Sequence, residues 1–142
     1  MNETMQTFGY SDNLIYEYNN WVVLLRPAQV TLGSLVLIEK SETTNFANIS
    51  QESFSELKEV ITDIENNLKT HFNAEKFNYL MLMMVDPNVH YHVIPRYSEN
   101  KTFNNETFKD TGWPKLPEMP FANEILDDSF IKLKELLKNN WK

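Results

Sequence analysis

The residues best suited to chemistry lie together in Asn88-Val89-His90-Tyr91-His92-Val93-Ile94-Pro95-Arg96. The run predicts a strand, whose alternate side chains share a face. Asn88, His90 and His92 then point one way, and Val89, Tyr91 and Val93 the other. The second set is an ordinary core face. The first is odd, because two successive imidazoles cover a sheet poorly. Pro95 is expected to end the strand, leaving His92 and Arg96 near a rim that a ligand can reach. Three readings of the pair stay open. The imidazoles are hydrogen-bonded packing groups; or they chelate a metal; or one is a nucleophile and the other its hydrogen-bonding or proton-transfer partner. Imidazole suits attack on phosphorus near neutrality, since its ordinary pKa is about 6.5. A metal needs one or two further ligands. His71 falls on a predicted helix end, and Asp86 and Glu99 show no recognised spacing.

The elements that must position these residues are legible to different degrees. Leu14 to Tyr18, Asn19-Asn20, and Trp21 to Leu25 read as a hairpin whose Asn turn tolerates positive φ. Arg26-Pro27-Ala28-Gln29 interrupts, and Gly33 precedes a strand over 34–38 that is apolar on both faces. Phe54, Leu57, Ile61, Ile64 and Leu68 recur at helical spacing, with Val60 and Phe72 widening the stripe. A helix of about 20 residues is predicted there, with Ser50 as N-cap. Asn78 to Met83 reads as another strand, which makes Met81, Met83 and Met84 core packing. Asp86-Pro87-Asn88 is a turn signal. Residues 98 to 120 read as an ordered loop in which Trp113 is a packing anchor. Phe130, Leu133, Leu136, Leu137 and Trp141 predict a closing amphipathic helix. The class is α+β with an antiparallel sheet.

Composition excludes several chemistries. The 142 residues suit one domain, residues 1–142, with 98–142 as a C-terminal extension packing on it. Cysteine is absent, so there is no thiol nucleophile and no thiolate metal site. Three glycines are too few for a glycine-rich phosphate loop. The net charge of −7 makes nucleic acid a poor partner. No apolar run is long enough to span a bilayer. With no signal segment visible, a cytoplasmic location is expected. Neither Asp127-Asp128 nor the Glu39/Glu42 pair has the spacing of a catalytic dyad.

His90-Tyr91-His92-Val93-Ile94-Pro95-Arg96 closely resembles the end of the histidine triad (HIT) signature, in which three histidines alternate with apolar residues and Pro-Arg often follows. Trp21 to Pro27 and Thr31 to Leu37 resemble that family's first nucleotide-binding segment, and the helix and strands follow in the family's order. The resemblance covers roughly residues 10 to 97. It implies a HIT-like fold and a homodimer that takes a small-molecule nucleotide, needs no cofactor and uses no metal in the attack. It also implies hydrolysis or transfer on a dinucleoside polyphosphate or nucleoside phosphoramidate. Matched by position, His90 is the nucleophile that carries the nucleotidyl group, and His92 contacts the phosphate and leaving-group side. Asn88 stands in place of the first histidine. Arg26 stands where members often have a ribose-binding Asn or Asp, and Ser34 where many have a histidine. The Gly-Gln loop common before the triad is replaced by Met83 to Pro87. Positive charge on His92, aided by Arg96 or Arg26, is expected to stabilise the reacting phosphate. The alternative is a nucleotide-binding module of the same fold with little catalysis.

Overall fold

The computed structural model describes residues 1–142. Its elements run α1 (Glu3–Thr7), β1 (Leu14–Glu17), β2 (Trp21–Leu25), β3 (Leu35–Glu39), α2 (Gln51–Phe72), β4 (Lys76–Leu80), β5 (His90–Arg96), β6 (Lys101–Phe103), β7 (Glu106–Phe108) and α3 (Asp127–Asn139). Strands β1 to β5 form one antiparallel sheet in the order β1-β2-β3-β5-β4. This is the expected α+β class.

β2 and β3 are buried at every position, as their unbroken apolar runs require. One sheet face presents Trp21, Val23, Leu25, Leu35, Leu37, Val89 and Val93 to a core that Val60, Ile64, Leu68 and Phe72 of α2 complete. Ser50 caps α2 by accepting from Ser53 N–H, and Asn73 ends it in the left-handed conformation at φ 57°. Trp21 Nε1 donates to Ser53 C=O at 2.8 Å and pins the helix across β2. The buried stripe runs through Ser53, Val60, Ile64 and Leu68, so the apolar face is rotated from the sequence estimate and Phe54 is exposed. Gly33, at φ 87°, lets the chain pass under α2, where a Cβ would meet Leu68 and Phe72 at 3.1 Å. Phe108, Leu133, Leu137 and Trp141 join the same core, so the C-terminal extension packs directly on the sheet and helix.

The other sheet face holds Val22, Leu24, Val36 and Ile38, and the N-terminal segment covers it through Met5, Phe8 and Tyr10. Ile38 pairs with His90 and Val36 with His92, which sets both imidazoles on this second face beside the N-terminal segment.

Four local expectations change. The Asn19-Asn20 turn closes through a Tyr18 N–H to Trp21 C=O bond, but neither Asn has positive φ. β5 continues through Pro95 to Arg96, because Pro95 pairs with Phe77 at a position where the ladder tolerates a missing donor. Within 98–120 lies the hairpin β6-β7, turned by Asn104 and Asn105 at φ 49° and 65°. β4 stops at Leu80, so Leu82, Met84 and Val85 are exposed loop residues, while Met81 and Met83 pack against the core as expected.

Candidate active site

Buried His90 donates from Nδ1 to the backbone carbonyl of Asn88 at 2.7 Å. A carbonyl only accepts, so Nδ1 carries the proton and Nε2 keeps its lone pair. The tautomer required of a nucleophile is thus imposed by strand backbone. His92 is held the opposite way. Arg26, just beyond the end of β2, donates from Nε to His92 Nδ1 at 3.3 Å, which leaves the His92 proton on Nε2. The two rings meet edge to face with centroids 5.1 Å apart. One therefore offers a lone pair and the other an N–H.

The rings open into a cavity of about 250 Å3 lined by Phe8, Arg26, Leu82, Met83, Met84, Val85, Asp86, His90 and His92. Ligand pockets for drug-sized molecules begin at roughly 300 Å3, so this space suits a phosphoryl group and its immediate substituents. Phe8 stands over both imidazoles, at 6.1 Å from His90 and 5.7 Å from His92. A larger cavity of about 790 Å3 runs along β4 past Trp113 and Leu116, but it contains neither histidine.

Burial, with Arg26 and His90 adding repulsion, pushes the His92 pKa down to about 4. His92 is therefore neutral at pH 7, which corrects the expectation of a charged imidazole. The cation beside the two imidazoles is Arg26. Burial lowers its pKa and Asp86 opposes that shift, but a guanidinium stays charged. A depressed folded-state pKa means the unfolded chain binds the extra proton first as pH falls. Stability should thus be complete above about pH 6.5 and decline as pH drops toward 4. After discounting for solvent reaching the pocket, His92 contributes roughly 1–2 kcal/mol of this. Thermal unfolding scanned from pH 7.5 to 4.5 checks it. His92→Gln should flatten the decline, and an unchanged slope in that variant would contradict the assignment.

The other site residues expected from sequence fall elsewhere. Asn88 is present at the site through its carbonyl alone. Its side-chain Oδ1 accepts from Thr4 N–H at 3.1 Å and Thr4 Oγ1 at 3.0 Å, and its Nδ2 donates to Glu42 C=O at 3.2 Å. Its role is to clamp the N-terminal segment down. Ser34 is fully buried and donates to Thr31 C=O at 2.8 Å, so its hydroxyl is committed to the loop and does not face the cavity. Arg96 is also withdrawn. It makes a bidentate pair with Asp110, at 2.7 and 2.9 Å, and donates to Asn78 Oδ1 and Lys115 C=O. With its donors occupied and 4% exposure, it anchors the segment around Asp110 and Lys115. No three His, Asp or Glu side chains converge in a way that would hold a metal ion.

Sequence reasoning missed Phe8 and Gln29 as parts of the site. Gln29 accepts from Gly33 N–H and Ser34 N–H and donates to Arg26 C=O, so it braces the loop that aims Arg26. Nothing local marks these residues, because their partners are remote or are backbone groups.

The HIT domain model matches residues 9–99, which takes in the hairpin, the helix and both histidines. The chain belongs to the HIT family. Solved HIT structures share its fold at low identity. A histidine triad protein from Sinorhizobium meliloti is 17% identical, with 96% of this chain and 98% of that one covered at a TM-score of 0.71. One from Bradyrhizobium japonicum is 16% identical over 92% of each chain, also at 0.71. A hypothetical histidine triad nucleotide-binding protein from Sulfolobus tokodaii is 18% identical over 91% and 83% of the two chains, at 0.67. No curated protein matches. No helix is long and apolar enough to cross a membrane.

Proposed function

We propose that this HIT protein is a nucleotide hydrolase or nucleotidyl transferase that works through a covalent nucleotidyl group on His90. The observation that carries the reading is the Asn88 carbonyl on His90 Nδ1, which leaves Nε2 as a lone pair facing the pocket. Its substrate is a dinucleoside polyphosphate or a nucleoside phosphoramidate, the classes on which the HIT family acts. His90 Nε2 attacks the α-phosphorus, the Nδ1–H keeps its bond to Asn88 as the ring becomes cationic, and water later releases the nucleoside monophosphate. Arg26 and the Nε2–H of His92 face the phosphate oxygens as charge develops.

A second reading, a nucleotide-binding module with little turnover, is favoured by one observation. The Asn88 side chain is fully occupied in clamping the N-terminal segment, so the site has two imidazoles where the family pattern has three. Steady-state assays on diadenosine tetraphosphate and adenosine 5′-phosphoramidate, with acid-free trapping of a radiolabelled nucleotidyl-protein, separate the two. Turnover with label on His90 supports the enzyme. Monophosphate binding by calorimetry with neither turnover nor label supports the module.

The reading includes a cytoplasmic homodimer. The outer edge of β4 has unpaired backbone groups, which suit strand addition by a second copy. Light scattering on the purified protein checks the stoichiometry.

A further inference from the structure

The contact between Arg26 and His92 restricts what His92 can do. A guanidinium N–H only donates, so the proton of His92 must sit on Nε2. The charged and titratable groups around the ring are Arg26 beyond β2, His90 on β5 and Asp86 in the loop after β4. No carboxylate hydrogen-bonds the ring to favour a second proton. Protonating Nδ1 would set two donors head to head beside a fixed positive charge. Burial opposes the charged form as well. In this state His92 can lend a hydrogen bond. It cannot hand over a proton, because that would leave an anionic imidazolate.

We propose that Arg26 is a specificity-determining residue: by holding His92 as a neutral Nε2–H donor and supplying the pocket's fixed positive charge, it selects substrates whose leaving group departs as a phosphate or polyphosphate anion over those that expel an amine. The inference rests on the His90 nucleotidyl-transfer reading. In the first step the His90 Nε2 lone pair forms the N–P bond. The P–O bond to the leaving phosphate breaks, and its electron pair stays on the departing oxygen. No proton is needed, and Arg26 offsets the charge that accumulates. In the second step water oxygen bonds to phosphorus, the N–P pair returns to Nε2, and the proton of the water leaves to solvent. An amine leaving group must instead be protonated as the P–N bond breaks, and this pocket holds no imidazolium to do that.

The test compares kcat/KM for diadenosine tetraphosphate and adenosine 5′-phosphoramidate in the wild type and in Arg26→Met. It is accompanied by nitrogen-15 NMR of the histidine rings of the full chain. The wild type should prefer the tetraphosphate by at least about tenfold. In Arg26→Met the preference should collapse through loss of kcat on the tetraphosphate, and His92 should pass from a single Nε2–H tautomer to a mixture. A wild type that cleaves the phosphoramidate as fast as the tetraphosphate, or in which His92 is charged or Nδ1-protonated at pH 7, overturns the proposal. The wild-type spectrum decides even if the variant does not fold. If neither substrate is turned over and no nucleotidyl-histidine is trapped, the parent reading falls and this one falls with it. Turnover with the phosphoramidate preferred sinks only the role given to Arg26.

Discussion

Replacing His90 by glutamine is expected to lower kcat by roughly 10⁴- to 10⁶-fold, the loss seen when a covalent nucleophile is removed from an otherwise intact site. Glutamine is the informative choice because its amide can still donate to the Asn88 carbonyl that His90 Nδ1 occupies at 2.7 Å. Shape and burial are then largely kept while the lone pair is lost. Nucleoside monophosphate affinity should change little, since the nucleophile reaches phosphorus and not the base. Rapid-quench kinetics with the α-labelled nucleotide should show the protein-bound label vanish together with turnover. If more than about one per cent of wild-type kcat survived without label, a direct attack by water would replace the covalent route. His92→Leu provides the contrast. It removes a hydrogen-bond donor, so the expected loss is about 10²- to 10³-fold, the scale of one preorganised donor.

The second large effect concerns stability. Arg96 and Asp110 are both almost fully buried and share a bidentate pair. Breaking a buried pair from one side leaves an uncompensated charge and costs about 3–5 kcal/mol. Arg96→Met should cost that much, because Asp110 also accepts from Tyr97 N–H and cannot swing to water without losing that bond. In a chain of this length the fall in Tm is roughly 10–15 °C. Asp110→Leu should match it, since it strands the guanidinium against Asn78 and Lys115. The double variant Arg96→Met/Asp110→Leu should recover much of the loss, as both charges are gone. Calorimetric scans of the four proteins close the cycle. Equal and additive losses in the two single variants would show that the pair is not coupled. None of these changes touches the imidazoles, so the kcat of the folded fraction should be preserved at low temperature.

How far the sequence carried depends on the range of the forces involved. The long helix was readable because Val60, Ile64 and Leu68 repeat at a fixed local spacing and Ser50 caps in a local pattern. The shared face of His90 and His92 follows from strand period alone. Arg96 was misread for the opposite reason. Nothing near it announces Asp110, and only folding shows that its donors are taken. Ser34 followed the same course, turned inward by a loop that Gln29 braces. Met84 looks like core in a string of apolar letters, and it is exposed while Met81 and Met83 pack against the core. The strand nonetheless stops at Leu80, and Met83 takes φ 51°, which breaks the extended run. Asn88 serves the site through its backbone carbonyl, which orients His90, while its side chain is turned to Thr4 and Glu42. Charge at the site was also reassigned. Burial beside Arg26 disfavours a charged His92, and Arg26 carries the fixed positive charge.

The clamp on Thr4 bears on how the molecule assembles. Thr4 and Asn88 are 84 residues apart in the chain, and Phe8 rests on rings contributed by residues 90 and 92. Closing so long a loop is entropically slow relative to forming α2 or the β1-β2 hairpin. During synthesis Asn2 and Met5 can meet their partners on β2 and β3 early, but Thr4 and Phe8 find theirs only when β5 has left the ribosome and paired with β3. The roof of the pocket is thus made first and fitted last.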